Sequence, residues 1–402
     1  MAAVVLELDG RAVSRMTAPP WTRRVDFGRE FSPHELVARA LDWRGEEVAR
    51  TRQWINLPRP PAETQILLER DAFGRAVAAR LAWASLMGPE PERVSLTFDG
   101  RALALDADRR ATLPPHDVAI AHVLTAQLDF ANEVHSRNDL VLGGGSAGEA
   151  GSELTAVPVL AADRLLVADR LAGRFRRNGQ PLEVVAVEHG PADVVLVRNL
   201  KAREAVQRLR WLVANRLPTD PTSLEKEDRL RILWPVSQTI VDVDAANVLF
   251  ESSRVFSGEK FSLGSLLLRV EYPTESSAPR CFADAVAVAG LRAASGYSRR
   301  AVILVLGSQD RDESRSDPAA VRRYLERLRV PLFVWSLAGN GKGVPAAAWG
   351  EFDDVSSVAT FTRAFDRFRK ELARQSIVWL KGRHLPQEIA LEGENAEVAL
   401  VR

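Results

Sequence analysis

The chain has 402 residues, 46% apolar and 27% charged, with 54 Lys and Arg against 53 Asp and Glu for a formal charge of +1. That profile fits a soluble globular protein of roughly two to four domains and excludes a disordered one. The charge balance offers a nucleic acid no general attraction, and the single cysteine, Cys281, excludes an intrachain disulfide and a cysteine-based metal cluster.

Met1 to Asp9 reads as a strand rather than a signal peptide, because it lacks a basic stretch and its apolar run ends at Glu7. No run approaches the ~18 apolar residues that a membrane helix needs. Residues 1–106 read as β throughout, with alternation at Arg24–Phe27, Glu35–Leu41, Glu47–Ile55, Thr64–Glu69, Ala76–Ser85 and Arg93–Phe98. Asp- and Gly-bearing turns at 42–45, 71–74 and 99–100 separate several of these strands, the spacing of an antiparallel sandwich. Residues 107–200 form a second β-rich module, with alternation over Asp117–Phe130, an apolar run at Leu154–Val159 and a hairpin about Asn178-Gly179. A glycine-rich insertion at 143–152 interrupts it. No short-period repeat stands out.

Residues 201–216 have the period of an amphipathic helix, and the linker runs on to 228. Over 229–402 strands and helices alternate: strands at Arg231–Val236 and Leu266–Val270, a helix at Phe282–Ala294, a strand at Ala301–Leu306, and a helix opened by Asp317-Pro318. A strand at Val330–Leu337, a helix at Phe361–Gln375 and a strand at Ile377–Leu380 complete the series. Alternation of this kind predicts a doubly wound, mostly parallel α/β domain, so the fold class expected is β plus α/β, with antiparallel sandwich modules first.

The runs Arg299–Leu306, Asp317–Leu325 and Val330–Leu337, preceded by Phe175–Glu188, resemble the bacterial VWFA-related proteins, best known from Acidobacteria. In these, immunoglobulin- or fibronectin-like modules precede a von Willebrand factor A-like, Rossmann-type domain. The resemblance implies a periplasmic or secreted protein that binds protein partners. It also implies a metal-ion-dependent adhesion site, in which Asp-x-Ser-x-Ser and a later Asp hold Mg²⁺ through oxygen atoms. Here the first α/β strand runs through Trp234 to Gln238 without that motif, and the later acidic position reads Gly307-Ser308-Gln309 with Asp310 displaced. A degenerate site is therefore expected, and no cofactor. Asp242, Asp244, Ser308 and Asp310 are the remaining weak metal candidates.

Gly144-Gly145-Ser146-Ala147-Gly148 matches a nucleophile elbow only formally, since no helix start follows it. The six histidines lack metal-ligand spacing. Asp310, Asp312 and Ser314 alternate as calcium ligands would, but the glycine and terminal Glu of a calcium loop are missing. The expectation is a non-catalytic protein–protein interaction or scaffold protein, with Trp234, Gln238, Gln309, Asp310 and Asp312 as partner-binding candidates. Metal-dependent adhesion through the non-standard acidic set is the alternative, and a Ser146 hydrolase a distant third.

Overall fold

The computed structural model describes residues 3–28, 30–58, 62–71, 75–85, 90–117, 122–130, 134–142, 154–162, 166–199, 222–237, 250–270, 279–295, 298–341, 343–395 and 397–401. Packing divides the chain into two compact units, Met1–Pro58 with Leu154–Arg402, and Arg59–Glu153.

The first unit opens with β1 (Ala3–Leu8) and β2 (Arg11–Met16), joined through Asp9-Gly10 with φ positive at both residues. That backbone matches the twist of the flanking strands. β3 (His34–Leu41) and β4 (Glu47–Ile55) complete a sheet of order β2-β1-β3-β4. Arg39 pairs with Glu7 and Glu47, and Arg52 with Glu35, in a cross-strand charge ladder on one face. Arg24–Phe27 is irregular rather than a strand, and an Asp26 side chain accepting from the Gly28 N–H turns the backbone.

The second unit holds β5 (Ala62–Arg70), β6 (Ala76–Ser85), β7 (Arg93–Phe98), β8 (Arg101–Ala102), β9 (Arg110–Thr112), β10 (His122–Phe130) and β11 (Val134–Leu142). Their sheets are β5-β6-β9 and β11-β10-β7-β8. Ile66, Ala79 and Leu81 from the first share one core with Leu96, Phe98, Leu124 and Leu128 from the second. Alternate residues of each strand supply this core, as the pleat requires.

The first unit resumes with β12 (Leu154–Ala161), β13 (Phe175–Arg177), β14 (Gln180–Pro181), β15 (Val184–Glu188) and β16 (Ala192–Arg198). β17 (Arg229–Ser237), β18 (Phe250–Ser252), β19 (Phe256–Ser257), α1 (Leu263–Arg269) and α2 (Phe282–Ser295) follow. Then come β20 (Arg299–Leu306), α3 (Pro318–Leu328), β21 (Leu332–Ser336), β22 (Asp353–Asp354), α4 (Val358–Ala373), β23 (Gln375–Lys381), β24 (Ile389–Leu391) and β25 (Val398–Leu400).

The largest sheet runs β18-β17-β16-β20-β21-β22, with β19 also on β17. β16, β17, β20, β21 and β22 are parallel, whereas β18 and β19 run antiparallel at one edge. α1 and α4 pack on one face of this sheet and α2 and α3 on the other. Asp317 caps α3 by accepting from Ala319 and Ala320 N–H groups, with Pro318 at the first helical position. Ser357 and Thr360 form a reciprocal capping box on α4.

The expectation of sandwich modules followed by a doubly wound, mostly parallel α/β domain is corrected. Among the described residues 44% are strand and four α-helices occur, and the largest sheet is mixed. The other sheets are small and antiparallel. Alternation reports local order, not pairing: β23 leaves the helical region to pair antiparallel with β12 and β15, β25 joins β12, and β24 joins β13. Conversely β16, read with the second β module, lies between β17 and β20 in the largest sheet. Leu266 also sits in α1 rather than a strand, because Ser262 caps it by accepting from the Ser265 N–H. The helix expected over 201–216 and the insertion at 143–152 lie outside the described residues.

Candidate functional site

The carboxyl ends of parallel strands form the edge where such sheets build their crevices. Here that edge carries Asn199 after β16 and the Gly307–Ser316 loop after β20. Asp310, displaced from the expected acidic position, folds back onto the loop. Its Oδ2 accepts from the Gly307 N–H at 2.7 Å and its Oδ1 from Asn199 Nδ2 at 2.6 Å. Burial pushes the Asp310 carboxyl above its ordinary range, more than these hydrogen bonds and the charge of Arg280 lower it.

Asp312 caps α2 from a distant segment, accepting from the Phe282 N–H at 2.9 Å and the Ala283 N–H at 3.1 Å. Helix N-termini leave such N–H groups without partners, and a carboxylate there also meets the positive end of the helix dipole. Ser314 donates to Asp312 at 2.5 Å and accepts from the Asp284 N–H at 3.1 Å. Asp284 in turn accepts from the Arg315 and Ser316 N–H groups. The Asp310, Asp312 and Asp284 side chains are thus tied to backbone N–H groups, and the loop is pinned to α2. Ser308, Gln309 and Arg311 are exposed on it.

Trp234 is only 4% exposed and packs in the core beneath α1 and α4, so it presents no contact surface. Gln238, Asp242, Asp244 and Ser146 lie outside the described residues. Among the described residues no group of three or more His, Cys, Asp or Glu side chains is gathered closely enough to hold a metal ion. Cys281 is half-buried, and its thiol is pushed up by burial and then by Asp284, Asp312 and Glu313, which disfavours a thiolate nucleophile. Asn199, Arg280 and Asp284 were not singled out in the sequence. Asp284 could have been, from its place in the first turn of a clear helix, whereas Asn199 meets Asp310 only through the sheet.

A second arrangement occurs once in each unit. The run Leu6-Glu-Leu-Asp-Gly-Arg-Ala-Val13 recurs as Leu96-Thr-Phe-Asp-Gly-Arg-Ala-Leu103. In the first, Asp9 Oδ2 meets His34 Nδ1 at 2.7 Å while its Oδ1 accepts from the Glu35 N–H at 2.8 Å. In the second, Asp99 makes the same pair of contacts with His122 Nδ1 and the Val123 N–H at the same distances. The sheet orders β2-β1-β3-β4 and β8-β7-β10-β11 correspond strand for strand. The chain therefore carries one four-stranded antiparallel arrangement twice. The signal was present in the sequence as the repeated Asp-Gly-Arg-Ala, at a spacing too long for a short-period search.

No family model matches the chain, and no curated protein matches it. Two crystal forms of proximal thread matrix protein 1 from the mussel byssus are similar solved structures, each 12% identical, with TM-scores of 0.30 and 0.31. They cover 47% and 46% of this chain, which spans about half the length of those proteins, 47% and 49%. A likeness of that size carries no argument about fold or function, and it lends no support to the VWFA-related resemblance. Among the described residues no helix is long and apolar enough to cross a membrane.

Proposed function

We propose that the protein is a non-catalytic interaction or scaffold protein that presents the Gly307–Ser316 loop to a protein partner. The observation that carries this reading is the use of Asp310, Asp312 and Asp284 as internal ties. Carboxylates spent on backbone N–H groups hold a loop in one shape, and a loop held in one shape loses less entropy on binding. Ser308, Gln309 and Arg311 then supply adaptable polar contacts from a fixed platform. The repeated four-stranded arrangement supports the same reading, since duplicated modules multiply binding surfaces more readily than they build one catalytic centre. The periplasmic or secreted setting implied by the family resemblance belongs to this proposal, and fractionation of the native cell tests it.

The test compares wild type with a Gln309→Arg/Arg311→Glu variant in affinity capture from the native extract. A partner retained by wild type and lost by the variant, with equal melting temperatures, supports the loop as the contact surface. Equal capture by both proteins overturns it, and a catalytic turnover abolished by a single substitution overturns the non-catalytic reading.

A further inference from the structure

The two copies of the four-stranded arrangement differ in what covers them. Pairing sets Val4 opposite Ala40, Leu6 opposite Ala38 and Leu8 opposite Leu36, so these six side chains share one face of the β2-β1-β3-β4 sheet. The second copy keeps that register, with Val94 opposite Leu128, Leu96 opposite Ala126 and Phe98 opposite Leu124. There the face is closed. Leu124, Ala126 and Leu128 are 0% exposed, sealed by Ile66, Ala79 and Leu81 of the β5-β6-β9 sheet. In the first copy all six are only half-buried, and among the described residues none of them joins a core with another element.

An apolar sheet face in water is unfavourable in proportion to its area. The second copy shows the kind of layer that relieves it, another sheet laid face to face. The sheet β5-β6-β9 already gives its apolar residues to the core of the second unit. The largest sheet is covered by α1 and α4 on one side and by α2 and α3 on the other.

The open face is matched to itself. Its bulk sits on β1, as Val4, Leu6 and Leu8, and its small side chains on β3, as Ala38 and Ala40. A two-fold axis that lays β1 of one copy over β3 of the other sets large side chains against small ones. Among the positions paired with Leu6, Leu8, Leu36 and Ala38 on the outer strands, Arg11 alone is charged, and Ser14, Thr51 and Gln53 are neutral. Four strands ~4.8 Å apart, about six residues long at ~3.3 Å each, give a face of roughly 400 Å² in projection, so two copies close on the order of 800 Å². That is the size of a weak, reversible dimer rather than an obligate one.

We propose that this face is a dimer interface, closed by the same face of a second copy of the chain. It shares no residue with the Gly307–Ser316 loop, so a dimer presents that loop twice.

The experiment is sedimentation equilibrium of the full chain from about 1 to 500 μM, a range that brackets weak association. Ala38→Arg places a cation in the middle of the face. Thr51→Arg places one opposite Ala38 on the edge strand β4, at an exposed position that tolerates a long side chain. Arg15→Glu is the control, an exposed position paired with Val5 on the opposite face. Wild type and Arg15→Glu should pass from monomer to dimer with a dissociation constant on the order of 10–100 μM, weakened about tenfold or more by either arginine variant. Thr51→Arg decides the matter if Ala38→Arg does not fold. Wild type that stays monomeric throughout the range, or arginine variants that dimerise as tightly as wild type, overturns the proposal. Monomeric wild type together with a lowered melting temperature of Thr51→Arg would give the face to another part of the chain, which overturns it equally.

Discussion

The buried charge cluster at the amino ends of the central strands provides the sharpest test of the packing. Arg299 is 1% exposed and Asp228 2% exposed. Arg299 Nη2 donates to Asp228 Oδ1 at 3.1 Å and Glu225 Oε2 at 2.7 Å, Nε to the Gly190 carbonyl at 2.6 Å, and Nη1 to the Leu372 carbonyl at 3.1 Å. Asp228 also accepts from the Ala192 and Glu225 N–H groups. One guanidinium thus ties together β20, the segments leading into β16 and β17, and the last turn of α4. Arg299→Met keeps much of the volume but leaves the Asp228 carboxylate buried without its cation, a loss of about 3–5 kcal/mol. Glu225 is half exposed and solvent screens it, so its share is small. Asp228→Asn alone keeps one acceptor and costs about 1–3 kcal/mol. Because the two side chains answer each other, the double variant should cost about 2 kcal/mol less than the sum of the singles.

Burial holds the Asp228 carboxyl above its ordinary range even with Arg299 present. Removing the cation raises it further, so the native variant takes up a proton before the unfolded chain does. The Arg299→Met deficit should therefore shrink as pH falls and grow as pH rises. The assay is urea unfolding followed by tryptophan fluorescence, read as the transition of the larger unit. Additive single and double variants, or an Arg299→Met cost below about 1 kcal/mol, would refute the clamp.

Further tests address separate features. Asp310 has a raised carboxyl, so its contribution is fully present below the ordinary carboxylate range and fades as pH rises through the folded value. Wild type should accordingly lose melting temperature relative to Asp310→Asn over that interval, and a constant difference would count against it. Asp99 is the opposite case: hydrogen bonding to His122, then to the Val123 N–H, holds its carboxyl below the ordinary range. Its contribution is present above that range and disappears as pH falls through the folded value, so an Asp99→Asn melting deficit should vanish in acid. A Cβ at Gly258 would lie 2.1 Å from the Glu225 carbonyl oxygen, a backbone clash that should cost Gly258→Ala about 2–4 kcal/mol by chemical denaturation. Residues 59–153 expressed alone should fold cooperatively, with β-type circular dichroism and a single melting transition, because their two sheets share their own core.

Local structure was legible wherever one strong physical signal decided it. β4, β6 and β7 follow the expected alternation residue for residue, and α3 begins where Asp317-Pro318 places it. Errors fell where two signals competed. Leu266–Val270 is apolar enough for a strand, but the upstream Ser262 cap makes the segment a helix. Arg24–Phe27 alternates, yet alternation without a neighbouring strand to complete the ladder makes no sheet. Pairing was the least legible property. Nothing local in Gln375–Lys381 distinguishes a further strand of the largest sheet from the partner of Leu154–Ala161 that it becomes.

The candidate loop shows the same limit from the side of chemistry. Asp310 and Asp312 read in the sequence as part of an acidic loop, a pattern that suits a weakly held calcium ion or a solvated surface. Geometry separates these readings, because oxygens aimed at the N–H groups of Gly307, Phe282 and Ala283 are committed to the backbone. The two Asp-Gly turns carry the argument further. Asp9 and Asp99 each engage a histidine with one oxygen and, with the other, the N–H of the residue after that histidine, in the two copies of the Asp-Gly-Arg-Ala run. Carboxylates here mostly fasten turns and helix starts to neighbouring strands.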